Sequence, residues 1–360
     1  MQLGLSENLS ALVARRFATA KEGGHLSFSS THLSILNVAG IPFQLRYCPA
    51  LAKKPSNLKP AEPSGPKPKF DPFQEPSPDL LIANFPAENP AYALVLNKFP
   101  VIPNHFILAT REWKAQTDIL ERDDLDATYA CLKEWNHGKG ADSSNRLFAF
   151  FNSGEDSGAS QPHRHLQFLP VESMRQGGAE EGWQPLIEIL EQSQSQSQSQ
   201  SQSQHSADSS AFQYLPHLPF AHFALPLPPN PSPETLHSIY LSLYRAAVAA
   251  TEGKCPADVD PGSVGTEGPA SVSYNLAMTL SAMMICPRRS ETARVPIDAD
   301  RARDIADPGI LSLNGTILAG TLMVKAEVEW DAVRARPNLL TGVLRDIGFS
   351  RTDSQAAAVL

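Results

Sequence analysis

Cysteine is scarce in this sequence. Cys48, Cys131, Cys255 and Cys286 are the only four in 360 residues, and no two share a C-x-x-C spacing. That excludes a disulfide framework and a cysteine-built structural zinc site, and it fits a reducing compartment. No apolar run approaches the roughly 18 residues that cross a bilayer. ILAGTLMV and AMMIC are short runs of buried-strand type, so a soluble chain is expected. Positive charge is not in excess either: 30 Lys and Arg stand against 38 Asp and Glu, a net charge of -8. Nothing therefore draws the chain to nucleic acid or to an anionic membrane, and a polyanionic ligand must be held by local basic side chains and backbone N–H groups. The G-x-x-x-x-G-K-[ST] pattern of a P-loop is missing, as is the long βαβ rhythm of a Rossmann fold.

What is present is a folded, loop-rich chain, 42% hydrophobic, with 31 prolines against 21 glycines. Its length suits two compact units or one large α/β unit with insertions. Residues 7 to 22 read as an amphipathic helix; Arg15 and Arg16 give it a transit-peptide look, but Glu7 and Glu22 fit an ordinary helix better. Extended segments are expected at 25–29 and 42–48, and a proline-dense surface loop from Pro55 to Pro78. AYALVLNKF and HFILAT read as neighbouring strands joined by a tight turn, ERDDLDATYACLKEWNHG as a helix, and RLFAFFNSG and HRHLQFLP as further strands. Between Gln192 and Gln204 Ser and Gln alternate, a polar tract read as an exposed insertion rather than a recruitment segment. A helix at PSPETLHSIYLSLYRAAVAAT and strands at SVSYNLAMTLSAMMICPR and GTILAGTLMVKAEVEW follow. The expected organisation is an N-terminal catalytic part at 1–190, the insertion at 191–210, and a part at 211–360 that completes the sheet and the ligand site. The fold class is α/β of the α+β type, with a mixed, mainly antiparallel sheet.

The most informative stretch is FNSGEDSGASQPHRHLQF, residues 151–168. In a strand successive side chains alternate faces, so His163, His165 and Gln167 project together while Arg164, Leu166 and Phe168 face the other way. Ahead of them Ser153, Gly154, Ser157, Gly158, Ala159 and Ser160 form a small-residue loop whose N–H and hydroxyl groups suit phosphate oxygens. Two histidines at i, i+2 suit zinc, but no third ligand suggests itself and Gln is a poor one. A neutral imidazole near its usual pKa of about 6.5 can instead attack an α-phosphate and form a nucleotidyl-histidine. Gln167 can hydrogen-bond phosphoryl oxygens but cannot protonate a leaving group. An isolated His-x-His is as often a pair of satisfied strand histidines, and the adjoining loop is what tilts the reading toward chemistry.

The segment resembles the signature of the histidine-triad superfamily in its transferase branch, specifically the ATP adenylyltransferase or diadenosine tetraphosphate (Ap4A) phosphorylase family of fungi. PFQLRYCPALAKKP, the DPF at 71–73, LVLNKFPVIPNHFILAT, SYNLAMT with MMICPR, and LSLNGTILAGTLMVK carry the resemblance along most of the chain. It implies a HIT-like, galactose-1-phosphate-uridylyltransferase-like sheet with flanking helices. It also implies phosphorolysis of Ap4A to ADP and ATP through an adenylyl group on His165. By the same likeness the carbonyl of His163 orients the nucleophile and Gln167 contacts the α-phosphoryl group. Lys54, Asn97, Lys98, Asn152, Gly158, Ala159, Ser160 and Gln161 correspond to nucleotide contacts; Asn275, Thr279, Met284 and Arg288 correspond to contacts with the distal phosphates or second nucleoside. No protein-bound metal is implied, only a divalent cation, Mg, accompanying the nucleotide. Partners are expected to be nucleotides and phosphate, with neither nucleic acid nor membrane, in a cytoplasmic and nuclear monomer or small homo-oligomer. The competing readings are a histidine-triad hydrolase using water and a non-catalytic nucleotide sensor.

Overall fold

The first helix starts where its sequence says it must. Asn8 accepts hydrogen bonds from the N–H groups of Ser10 and Ala11, the N-cap arrangement worth about 1 kcal/mol, and α1 runs Leu9–Glu22 with Leu9, Leu12, Val13 and Phe17 buried. The computed structural model describes residues 1–53, 70–86, 88–136, 145–175, 182–190, 212–297 and 308–351. Lys54, most of the proline-dense segment and the Ser–Gln tract lie outside these described residues.

After α1 come β1 (His32–Val38), β2 (Ile41–Tyr47), β3 (Leu81–Phe85), β4 (Tyr92–Leu96) and β5 (Phe106–Thr110). Helix α2 (Arg122–Asn136), β6 (Leu147–Ser153), β7 (His165–Pro170) and β8 (Phe223–Pro226) follow. The helix Pro233–Thr251, capped by Ser232, precedes the hairpin of β9 (Tyr274–Met278) and β10 (Ala282–Pro287). The chain continues with β11 (Thr292–Arg294), β12 (Ile310–Ser312) and β13 (Thr321–Val324), then the helices Glu327–Ala335 and Leu339–Ile347.

Eight strands form one sheet in the order β3-β4-β5-β7-β6-β9-β10-β8. Every neighbouring pair in it is antiparallel. A second sheet orders β1-β2-β13, with β13 parallel to β2. The mixed, mainly antiparallel α+β fold read from the sequence is therefore the fold observed. Strands β8, β9 and β10 come from the C-terminal half and extend the sheet begun by the N-terminal half.

The two faces of the large sheet bury different partners. On one, Leu166 and Phe168 pack with Phe106, Leu108 and the apolar faces of α1, α2 and Pro233–Thr251. Phe168 stacks on Phe106 at 4.7 Å and Phe106 on Trp135 at 5.7 Å, geometry that adds to plain area burial. On the other, Phe148, Phe150, Ala277 and Met284 pack beneath Phe43, Leu45, Leu318 and Leu322. The His165 side of β7 belongs to this second face, at the margin of that apolar cluster.

Two segments differ from expectation. Residues 25–29 form no strand; Ser27 and Ser29 donate their N–H groups to the carbonyls of Lys98 and Pro100, a loop-to-turn pairing too short to be a ladder. GTILAGTLMVKAEVEW is not one strand but a 3-10 turn (Gly315–Ala319), then β13, then a helix from Glu327. The turn folds there because the Gly315 N–H docks on Asn152 Oδ1 at 2.8 Å. Any Cβ at 315 would meet that oxygen at 2.8 Å and the Phe150 ring at 2.7 Å, so only glycine permits the approach.

Candidate active site

Strand alternation does place His163 and His165 on one face, and the surroundings of each ring decide what it can do. His165 Nδ1 lies 2.8 Å from the carbonyl oxygen of His163. A carbonyl only accepts, so Nδ1 carries the proton and the lone pair belongs to Nε2. His163 is engaged on both sides: Nδ1 is 2.7 Å from Asp71 Oδ2, and Nε2 is 3.0 Å from Thr110 Oγ1 and 3.2 Å from the Glu112 carbonyl. Of the two rings it is therefore His165 that keeps a nitrogen lone pair without a partner among the described residues, while the His163 carbonyl is the acceptor that orients that ring.

Asp71 also accepts the Phe73 N–H at 2.9 Å, which turns the Phe73 ring over the pair. Its centroid lies 4.9 Å from the His165 ring at 35° and 5.9 Å from His163, edge-on. His165 is consequently 2% exposed. Burial pushes its pKa down from the ordinary 6.5 to about 4, opposed by the bond to the His163 carbonyl. The ring is thus neutral across the physiological range, not partly neutral as an unperturbed histidine would be. An imidazole attacks only in its neutral form, so nucleophilic reactivity of this ring would be complete above the folded pKa and lost as pH falls through it. We expect the rate of the histidine-dependent step to stay level from about pH 8 to 6 as far as this group is concerned, and to descend with a midpoint near 4. A midpoint near 6.5 in single-turnover rates would contradict the burial. The same sign holds for stability: His165 and the buried His222, also lowered to about 4, contribute fully above about 6.5 and lose that contribution as pH falls toward 4.

Gln167 sits two residues along the same face. Asn97 Oδ1 accepts the Phe99 N–H at 2.9 Å, so its amide nitrogen is the end facing His105 Nδ1 at 3.0 Å. His105 Nε2 then carries the proton and donates to Gln167 Oε1 at 3.1 Å. A backbone N–H thus fixes the polarity of the whole chain and leaves the NH2 of Gln167 as the end available to an acceptor. Replacing His105 with Ala frees that amide to flip. We expect kcat to fall about tenfold to a hundredfold, short of the roughly 10²–10³ lost when such a donor is removed outright, while urea melts show under about 2 kcal/mol of destabilisation. An H105A enzyme with unchanged kcat would show that the orientation is immaterial.

Asn152 is on β6, next to β7, and its carbonyl shares the Gln116 amide with the carbonyl of His165. Its Oδ1 accepts from Gly315 N at 2.8 Å and Asn275 Nδ2 at 3.0 Å, whereas its Nδ2 is buried without a partner. A buried unpaired donor costs about 1–3 kcal/mol, and here it is held in place by the two bonds to Oδ1. Gly158, at φ 78°, closes the preceding loop against 313–314, where a Cβ would meet the Leu313 carbonyl at 2.7 Å. Ser153 and Ser157 turn inward, and the Ser157 hydroxyl donates to the Gly154 carbonyl at 2.6 Å. Ala159 and Gln161 are half-buried and Ser160 is exposed, so that end of the loop faces outward.

The four C-terminal residues are all engaged within the protein. Arg288 is 2% exposed; it donates to Asn275 Oδ1 and to the carbonyls of Ser290 at 2.8 Å, Leu313 at 3.1 Å and Ile347 at 3.3 Å. A guanidinium so committed ties the end of β10 to the C-terminal segments. Asn275 is fully buried, bridging Arg288 to Asn152 and the Ser157 carbonyl. Thr279 Oγ1 accepts the Ala282 N–H in the β9–β10 turn, and Met284 is core. Lys98 is exposed, its Nζ 5.8 Å from the Phe99 ring; Lys54 lies outside the described residues.

Asp71, Phe73, Thr110, His105 and Gln116 are the site residues that spacing did not single out. DPF carried part of the resemblance, but the contact of Asp71 with His163 spans 92 positions and leaves no local period. A concavity of about 770 Å³ between β1 and Glu327–Ala335 contains none of these residues; chemistry, not size, selects the site.

Comparison with known proteins agrees. The profile of the Ap4A phosphorylase N-terminal domain matches residues 2–192, and that of the ATP adenylyltransferase C-terminal domain matches residues 216–350. The chain is 26% identical over 358 residues to diadenosine 5',5'''-P1,P4-tetraphosphate phosphorylase 2 of Saccharomyces cerevisiae, covering 98% of each. The crystal structure of yeast Ap4A phosphorylase Apa2 in complex with Ap4A superposes with a TM-score of 0.72 at 25% identity, covering 97% of this chain and 99% of that one. A second crystal structure of yeast Ap4A phosphorylase Apa2 gives 0.72 at 26% identity, covering 97% of this chain and 99% of that one. With its first profile spanning more than half of the sequence, the chain belongs to the Ap4A phosphorylase family.

Proposed function

We propose that this protein cleaves Ap4A with inorganic phosphate to ADP and ATP, and runs the reverse adenylyl transfer, through an adenylyl group carried on His165. The observation that carries the reading is the fixed tautomer of His165: Nδ1–H held by the His163 carbonyl, the lone pair on Nε2. That nitrogen attacks the α-phosphorus; the P–N bond forms as the bond to the bridging oxygen breaks and ATP leaves. Phosphate oxygen then attacks the same phosphorus, the P–N bond breaks, and ADP leaves. Positive charge on the imidazole in the intermediate is shared with the His163 carbonyl through Nδ1–H. The unpaired NH2 of Asn152 and the outward NH2 of Gln167 are donors set for the charge that grows on the phosphoryl oxygens. Gln167 cannot act as an acid, which suits a leaving group that departs as a stable polyphosphate anion.

Nucleotides and phosphate are the partners this chemistry needs. The divalent cation, Mg, accompanies the polyphosphate as part of the substrate. We place the protein in the cytoplasm, as a monomer or small homo-oligomer. The test is to incubate Ap4A with and without inorganic phosphate: ADP and ATP formed only with phosphate support transfer, while AMP and ATP formed at the same rate without it would identify a hydrolase.

A further inference from the structure

Strand β7 should pair with β6 along its whole length, yet it does not. The recorded register runs Leu147↔Pro170 to Phe150↔Gln167 and stops there, although β6 continues to Ser153 and β7 begins at His165. On its other edge β7 stays paired up to Ala109↔His165, and the Arg164 backbone is bonded to Thr110 and Lys114. The N–H and C=O of His165 therefore point at β6 with no strand to meet them. What meets them is one side chain. Gln116 Oε1 accepts the His165 N–H at 2.7 Å, and Gln116 Nε2 donates to the carbonyls of His165 at 3.1 Å and Asn152 at 2.8 Å. Gln116 is itself 2% exposed and its own N–H is fixed to the Pro162 carbonyl at 2.8 Å. A carboxamide thus stands in the ladder where backbone would stand.

We infer that Gln116 is a positioning residue for the transfer reaction: it wedges β6 from β7 and holds the His165 backbone, and so the attacking nitrogen, in fixed register with Asn152. The inference rests on His165 as nucleophile but not on the identity of the nucleotide. The wedge does two things that a continuous ladder could not. It separates the strands at the one level where a phosphoryl group must sit between His165 and the unpaired Asn152 amide. It also satisfies three buried backbone groups that the separation would leave unpaired. Displacing a reacting atom by about 1 Å can lower a rate about a hundredfold.

Gln116→Glu separates this role from plain packing, because its shape is conserved and its charge is under pH control. Protonated, the carboxyl still accepts from the His165 N–H and donates to one carbonyl; ionised, it faces two carbonyl oxygens, a repulsion that burial intensifies and that raises the carboxyl pKa. In single-turnover release of ATP from Ap4A by the full chain, Q116E is expected to keep a rate within about tenfold of wild type near pH 5. The rate should fall at least about tenfold more, reversibly, as pH rises to about 8, where wild type is level. KM should stay within about twofold, since Gln116 does not reach substrate. Q116A, which cannot titrate, should lose about a hundredfold in kcat at all pH values with KM again little changed. A Q116E profile parallel to wild type, or a Q116A enzyme with kcat within twofold of wild type, overturns the inference. If Q116E proves to unfold in its alkaline limb by circular dichroism, Q116A decides alone: a hundredfold loss of kcat in a folded enzyme supports the wedge, and loss only on unfolding refutes it. Retained activity in His165→Ala would instead strike the nucleophile reading, whatever Gln116 does.

Discussion

Replacing His165 with alanine is expected to lower the rate of Ap4A phosphorolysis by about 10⁵-fold, the scale on which enzymes fall when a covalent nucleophile is removed. The loss should appear in kcat, with substrate binding changed only a few-fold, because the ring donates nothing to the ground state: its Nδ1–H is already held by the His163 carbonyl. His163→Ala is expected to be less severe, since the acceptor that orients the nucleophile is backbone and survives the substitution. It does unpair Asp71 and release Phe73 from the pair of rings, so looser binding and greater solvent access to His165 should accompany it. Equal losses for both variants would mean that the two histidines act as one unit rather than as nucleophile and support.

The largest loss of stability is expected from Arg164→Ala, the residue between the two histidines that points the other way. Arg164 Nη1 reaches Glu121 and Asp124, each at 2.8 Å, and Nη2 lies 3.7 Å from Asp118. Asp124 is fully buried and also accepts from the Tyr92 hydroxyl and the Glu121 N–H, both at 2.9 Å. Truncation leaves that carboxylate without its cation, which costs about 3–5 kcal/mol when such a pair is buried. Glu121 and Asp118 are partly exposed and add little. Urea unfolding should therefore show a lower midpoint at unchanged m, and Asp124→Asn in the R164A background should recover part of the loss. A change below about 1 kcal/mol would mean that water reaches Asp124.

How far the sequence displays this architecture depends on how local each device is. The histidine face is legible because it repeats every second residue within six positions, and Arg164, Leu166 and Phe168 do take the opposite side. The α1 cap at Asn8 and the helix cap at Ser232 are equally local. Asp71, His105 and Gln116 are different: each reaches the histidine strand through a contact spanning 92, 62 or 49 positions, and no periodicity encodes such a contact. Arg288 shows the converse. The resemblance names it as a phosphate contact, but nothing in its neighbourhood in sequence announces the four protein acceptors that surround it once the fold closes. Segment 315–324 misleads for a related reason: its β-branched, apolar composition suits a strand, but Gly315 and Gly320 let it turn upon Asn152 before β13 begins.

The central claim is that one neutral, buried imidazole carries the nucleotide between donor and acceptor. The measurement that meets it most directly is rapid-quench trapping with Ap4A labelled in an α-phosphate, followed by peptide mapping. An acid-labile, base-stable adenylyl adduct on His165, formed before ADP appears and discharged by added phosphate, is the predicted result. Label on His163, on any other residue, or on none while phosphorolysis proceeds would contradict it.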